Sequence, residues 1–257
     1  MRQGTKPFRP AFLFRINAPT FTSIKPTVKA RTLLLILFLS AGRHLVSGQT
    51  VHIRQMLILG DSHLNGEFGE FLQKKLHGTQ PLDIYSIAIG GAGSRHFTMT
   101  MRNHCCGFKI RESCYGEALT PREKIRTLEK AASGTGEIVG KPFNGQLSGV
   151  LGHVQPDIVV IALGNNYVND HQVLVNMIRK QSAKTSIIWI GPMLRMNLEQ
   201  RMTAIEQVVK RNSLFLVRSD DLLGSDTLTS GHFYGKTAQN WADKVVERMA
   251  PALYTPR

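Results

Sequence analysis

The chain has 257 residues and a formal net charge of +14, set by 32 Lys and Arg against 18 Asp and Glu. That length suits one sizeable core carrying a leader and insertions rather than several independent domains. The charge is unevenly spread, because residues 1 to 60 contain no Asp or Glu and the first acidic residue is Asp61.

Residues 32 to 42, TLLLILFLSAG, form an apolar run preceded by Lys25, Lys29 and Arg31 and followed by small residues in RHLVSGQT. A basic stretch, a short apolar run and a small-residue exit predict a signal peptide over residues 1–48, and with it a secreted or periplasmic protein of residues 49–257. The run is too short for a membrane span, which needs roughly 20 apolar residues, so no stable membrane anchor is expected. A transit peptide and an uncleaved anchor are the competing readings, and no Cys stands near the run to take a lipid. Removing residues 1–48 takes away eight Lys and Arg and no acid, which leaves 24 basic against 18 acidic side chains, a net +6. No Lys/Arg stripe with interleaved aromatics remains, so nucleic acid is not an expected partner.

From residue 55 onward, short apolar runs alternate with segments of helical period. MLILG (56 to 60) is the first expected strand, and GDSHLNGEFGEFLQKKL follows it, with Phe68, Phe71, Leu72 and Leu76 on one helical stripe. Ser62 therefore stands between a strand end and a helix start, where its hydroxyl faces a crevice and its own N–H points at any developing anion. A capping turn is the plainer reading of Asp61 and Ser62 alone. Asp61 is expected to hold the turn through backbone hydrogen bonds, and His63 to be structural.

IYSIAI (84 to 89) is the second strand and runs into GGAGSRH, where Gly90 and Gly91 let backbone approach a ligand closely. The third Gly of a dinucleotide fingerprint is missing and no Gly-Lys-Ser/Thr follows, so this is not a nucleotide loop. Arg95 and His96 come next and either line the pocket or belong to a solvated loop. Residues 97–156 then separate the second strand from the third, a long connection of the kind that forms lids and binding loops. They hold Cys105, Cys106 and Cys114, a helix candidate after Pro121 and a Gly-rich stretch. In an exported protein these cysteines predict one disulfide, from Cys114 to Cys105 or Cys106, and a stapled loop rather than a metal site.

DIVVIALG (157 to 164), SIIWIG (186 to 191) and LFLV (214 to 217) complete the strands. Between and after them lie amphipathic stripes: Val173 with Met177 and Leu174 with Ile178; Leu198, Met202, Ile205 and Val209; and Ala238, Trp241, Ala242, Val245 and Met249. Continuous apolar strands alternating with helices predict an α/β chain, a three-layer α/β/α domain with a parallel sheet of about five strands. Asn165 and Asn166 end the third strand, and the lone His232 precedes the last helix. Ser, Gly, Asn and His thus each fall at the carboxyl end of an element, where open parallel sheets bind ligands.

On GDSH, IAIGGAGSR, LGNN and SGHFYGKTAQNWA, taken in that order, the chain resembles the SGNH, or GDSL-like, hydrolase family over about residues 55 to 250. The resemblance implies a flavodoxin-like sheet and an acyl-enzyme serine esterase, with Ser62 as nucleophile and His232 as general base. It places the oxyanion hole on the N–H groups of Ser62 and Gly91 and the side-chain amide of Asn166. It implies no metal and no organic cofactor. The partner would be a small or polymeric ester, with cell-wall carbohydrate suggested by the likeness of AIGGAGSR to sugar-deacetylating branches. One position departs from the pattern: the acid three residues before the His is here Thr229. Asp226 reaching back, a backbone carbonyl orienting the imidazole, and a feeble catalyst are the three open arrangements. Lipase, thioesterase or O-acyltransferase chemistry at the same serine, and a non-catalytic binding protein, are the alternative functions.

Overall fold

The computed structural model describes residues 51–102, 107–119, 144–193, 197–223 and 231–254. The leader, Cys105, Cys106, the helix expected after Pro121, Asp226 and Thr229 lie outside them. Strand β1 (Arg54–Gly60) leads through a short helix α1 (Ser62–Asn65) into α2 (Glu67–Thr79), and β2 (Leu82–Ile89) follows. A short helix α3 (Arg95–Thr98) precedes β3 (Thr100–Arg102), β4 (Phe108–Ser113) and β5 (Asn144–Gln146). Then come α4 (Leu147–Val154), β6 (Ile158–Ala162), α5 (His171–Gln181) and β7 (Ser186–Ile190). The chain closes with α6 (Leu198–Asn212), β8 (Phe215–Val217), α7 (Ser219–Leu223) and α8 (Gly235–Tyr254).

Six strands form the main sheet in the order β4-β2-β1-β6-β7-β8, and β3 pairs with β5 in a separate ribbon. The five strands read from the sequence are all present and parallel, in a flavodoxin-like order. In β1 the alternation of strand side chains splits a continuous apolar run between two cores: Met56 and Ile58 face one, Leu57 and Leu59 the other, and all four are fully buried. Helices α2 and α8 cover the first face through Phe68, Leu72, Leu76, Trp241, Val245 and Met249. Helices α4, α5 and α6 cover the second through Val150, Leu151, Leu174, Ile178 and Ile205. Each such side chain contributes about 1.5–3 kcal/mol relative to exposure. This is the expected three-layer α/β/α domain.

Within that architecture, several details differ from the expectations. The sheet has a sixth strand, because β4 adds to β2 antiparallel, with Ile87 opposite Ile110. Only Ile110 of that strand is a buried aliphatic residue; Ser113 instead accepts a hydrogen bond from Gln73, which itself accepts one from Ser86, both pairs buried. A strand seated by polar contacts shows no apolar run. The span 97–156 is accordingly less of an insertion than its length suggests, since β4 and α4 both build the core. On α5 the buried stripe is Leu174 and Ile178, joined by Val175, whereas Val173 is 49% exposed. Cys114, just beyond β4, makes no disulfide among the described residues, and the partners expected for it, Cys105 and Cys106, lie outside them.

The helix expected after Ser62 is broken at Gly66, whose N–H bonds back to the carbonyls of Ser62 and His63 at 3.0 and 3.2 Å. The break folds α1 onto α2 so tightly that a Cβ on Gly69 would lie 1.8 Å from the carbonyl oxygen of Leu64. Gly78, in the same helix, has nothing within 4 Å of such a Cβ. Gly69→Ala is therefore expected to cost about 1–3 kcal/mol by overpacking, a drop in Tm of roughly 3–10 °C, whereas Gly78→Ala is expected to raise Tm slightly. Thermal unfolding followed by circular dichroism checks both; equal melting of the two variants would refute the close packing of α1 on α2.

Candidate active site

Parallel strands β1 and β6 are neighbours, but the chain leaves β1 toward β2 and leaves β6 toward β7. The crevice at such a switch point is where open α/β sheets bind ligands. Pairing sets Gly60 beside both Ala88 and Ala162, so the loops after β1, β2 and β6 start level with one another. Those loops carry Ser62, Gly91 and Asn166.

The first loop is organised by Asp61. Its carboxylate is completely buried, accepts the N–H of His63 at 3.0 Å through Oδ1, and accepts the side-chain amide of Asn165 at 3.0 Å through Oδ2. Burial pushes its pKa up to about 6, an effect opposed by the Asn165 and His63 hydrogen bonds and by the nearby His232. Asn165 in turn accepts the backbone N–H of Met193, at the end of β7, through its Oδ1 at 3.0 Å. Asp61 thus holds the turn as expected, and also ties it to the Asn loop, a link between residues 104 positions apart that the sequence concealed. From the other side, the half-buried Arg111 of β4 donates to the carbonyls of Leu64 and Asn65, which closes the last turn of α1. Ser62 is held at the first position of that helix.

The other two loops face it. Gly91 has φ 74°, a left-handed conformation that favours glycine. Asn166 lies alongside, its side-chain amide donating to the carbonyl of Ala92 at 3.0 Å and keeping its second N–H for another acceptor. Among the described residues, the N–H groups of Ser62 and Gly91 make no hydrogen bond. Gly164 precedes the Asn pair with φ 130°, and a Cβ there would meet Ile205 at 2.8 Å. Only glycine lets β6 turn so sharply beneath α6.

His232 enters from the segment before α8. Its ring lies 4.8 Å from that of His63, which stands 5.5 Å from Trp241 in an edge contact. Trp241 also stacks on Phe68 at 3.6 Å, so α1, α2 and α8 share one aromatic cluster. No hydrogen bond joins Ser62 to His232. Arg95 is exposed and lies 4.0 Å from Asp170; His96 bonds to Gly93 and its ring lies 5.8 Å from that of Tyr167. Both sit at the rim of the Gly loop, and both already have protein partners.

Burial pushes the pKa of His63 down to about 3, aided by repulsion from His232. A native pKa below the unfolded value near 6.5 means that the unfolded chain binds the extra proton first as pH falls, so this group's stability is present above pH 6.5 and is lost toward pH 3. At 1.36 kcal/mol per pH unit, the unfolding free energy of the wild type relative to His63→Leu should drop by about 3 kcal/mol between pH 6.5 and 4. Denaturant titrations of both proteins across that range measure it; a pH-independent difference would show that His63 is not a buried neutral imidazole.

No family model matches the chain, and no curated protein does either. Among solved structures, the chain is similar to the Clostridium thermocellum family 3 carbohydrate esterase, at 12% identity and a TM-score of 0.48, over 78% of this chain and 96% of that one. It is similar to a Corynascus thermopiles (Myceliophthora fergusii) carbohydrate esterase family 2 enzyme plus carbohydrate binding domain, at 19% identity and a TM-score of 0.46, over 81% and 69%. A carbohydrate acetylesterase family member from Sinorhizobium meliloti gives 13% identity and a TM-score of 0.46, over 78% and 97%. At such identities and TM-scores the likeness is distant, and the chemistry of the crevice rests on its own residues.

Proposed function

We propose that the protein is an exported serine ester hydrolase that removes acyl groups, acetyl in the first instance, from a carbohydrate or cell-envelope substrate. What supports the hydrolase reading is that the loops carrying the Ser62 hydroxyl, the N–H groups of Ser62 and Gly91 and the Asn166 amide start level at the switch point, with the His232 ring against that of His63 in the serine's own turn. In this reading the Ser62 hydroxyl attacks the acyl carbonyl while His232 takes its proton. The negative charge that forms on the carbonyl oxygen is met by the N–H groups of Ser62 and Gly91 and the free N–H of Asn166, donors fixed before the charge develops. His232 returns its proton to the departing alcohol, and a water activated by the same imidazole then frees the acid from Ser62. An acceptor hydroxyl in place of that water would make the same site an acyltransferase.

Thr229 leaves the usual acid position empty, and Asp226 stands outside the described residues. Of the groups beside His232, the neutral ring of His63 packs against it and the Asp61 carboxylate lies within electrostatic range. The carbohydrate substrate is supported by the likeness of IAIGGAGSR to sugar-deacetylating branches, and export by the basic, acid-free leader with its apolar run at residues 32–42.

A second reading, a binding protein that has lost its chemistry, is favoured by one observation: no hydrogen bond joins Ser62 to His232. Apo geometries often tighten only with substrate, so the absence does not exclude a working base.

Fluorophosphonate labelling of the full chain, with the adduct located by mass spectrometry, separates the two. The hydrolase reading expects an adduct on Ser62 that disappears in Ser62→Ala. It also expects hydrolysis of 4-nitrophenyl acetate that falls by roughly 10³-fold or more in His232→Ala, as for loss of a triad base. Folded protein that takes no label and turns over no ester would leave the binding reading in its place.

A further inference from the structure

Outside the groups used above, one polar pair near the crevice is buried from water. Ser94, the last residue of the Gly turn, is fully buried, and its Oγ lies 2.7 Å from Nδ1 of His171, the first residue of α5, itself 2% exposed. The other ring nitrogen, Nε2, is buried without a hydrogen-bond partner, and the ring stands at 70° to Trp189 with centroids 4.9 Å apart. Burial pushes the imidazole pKa down to about 4, so the ring is uncharged at neutral pH. A buried nitrogen without a partner weakens the fold, and an aliphatic side chain at 171 would avoid that cost. The pair therefore calls for a role other than stability.

Its position supplies one. The Gly turn and the loop after β6 meet through several contacts: Asn166 to the carbonyl of Ala92, the exposed Arg95–Asp170 pair, and Tyr167 packed so close that a Cβ on Gly93 would lie 2.8 Å from it. Of these, the Ser94–His171 bond is the one in which both side chains are buried, so water does not compete for it and its direction is fixed. It anchors the far end of the turn whose near end carries Gly91. We infer that Ser94 and His171 form a buried pin that locks the Gly90–Ser94 turn to the loop after β6, holding the Gly91 N–H and the Asn166 amide at the spacing an oxyanion requires. The catalytic half of this inference rests on the hydrolase reading; the locking of the two loops does not. Neither residue touches the reacting atoms, so both are positioning residues.

Single variants leave one partner buried and unpaired, whereas Ser94→Ala/His171→Leu removes both, so the double variant should recover wild-type Tm to within a few degrees. If the pin positions the turn, hydrogen exchange of the bonded Gly90 and Ala92 amides in the full chain is at least tenfold faster in that double variant than in wild type. On 4-nitrophenyl acetate its kcat stays about tenfold lower with KM within twofold, a fraction of what losing one oxyanion donor costs. Wild-type exchange at Gly90 and Ala92, or wild-type kcat, in the double variant would overturn the inference. Should the double variant fail to fold, Ser94→Ala, which deletes one oxygen, is read the same way. Faster exchange in a protein whose wild type hydrolyses no ester would keep the pin and sink the hydrolase reading alone.

Discussion

The crevice is organised around a buried carboxylate. Asp61 is surrounded by protein on every side, and its two oxygens are taken by the backbone of His63 and the amide of Asn165. A charge in that position is tolerated only because its acceptor sites are filled, and filling them demands that the loop after β1 and the loop after β6 adopt one relative placement. Asn165 passes the constraint to the third loop, through the N–H of Met193 after β7. The turn that presents Ser62 is a consequence of this network, and so is the tie between the loop that carries Ser62 and the loop that carries Asn166.

Around that centre the protein uses two kinds of support. On one face of the sheet the support is apolar: Trp241 joins Phe68, Phe233 and His63, which packs α1, α2, α8 and the His232 segment into one cluster. That face also carries a polar support, Arg111 against the carbonyls of α1, and on the other face Ser94 and His171 bond beside the Gly turn. Apolar packing fixes where helices lie to within the tolerance of side-chain shape. Hydrogen bonds in a dry interior fix direction as well, which matters where an N–H must point at a particular atom.

The strands of the main core were legible because each is a continuous apolar run, and the helices because their stripes repeat at 3.6 residues. The candidate site was legible for a related reason: in a parallel sheet the residues that follow strands share one edge, so Ser62, the Gly90–Gly91 pair and the Asn165–Asn166 pair could be grouped before any pairing was known, and the family resemblance singled out Gly91 and Asn166. Strand β4 was not legible, since its seat on the sheet depends on Ser113, Gln73 and Ser86, three polar residues far apart in the chain. Val173 was misplaced because two stripes one residue apart are equivalent in periodicity, and only the direction in which α5 meets the sheet separates them.

The sequence by itself determined the α/β alternation, the two-sided burial of the sheet and the set of residues at its carboxyl edge, because hydrophobic period and the succession of elements along the chain are local properties. Tertiary structure decided which buried polar groups meet: Asn165 with Asp61 across 104 residues, and His171 with Ser94 across 77. A polar side chain carries no local mark of its partner. The choice is made when packing closes the space around it, and whichever donor or acceptor then stands within about 3 Å becomes the one that must be satisfied.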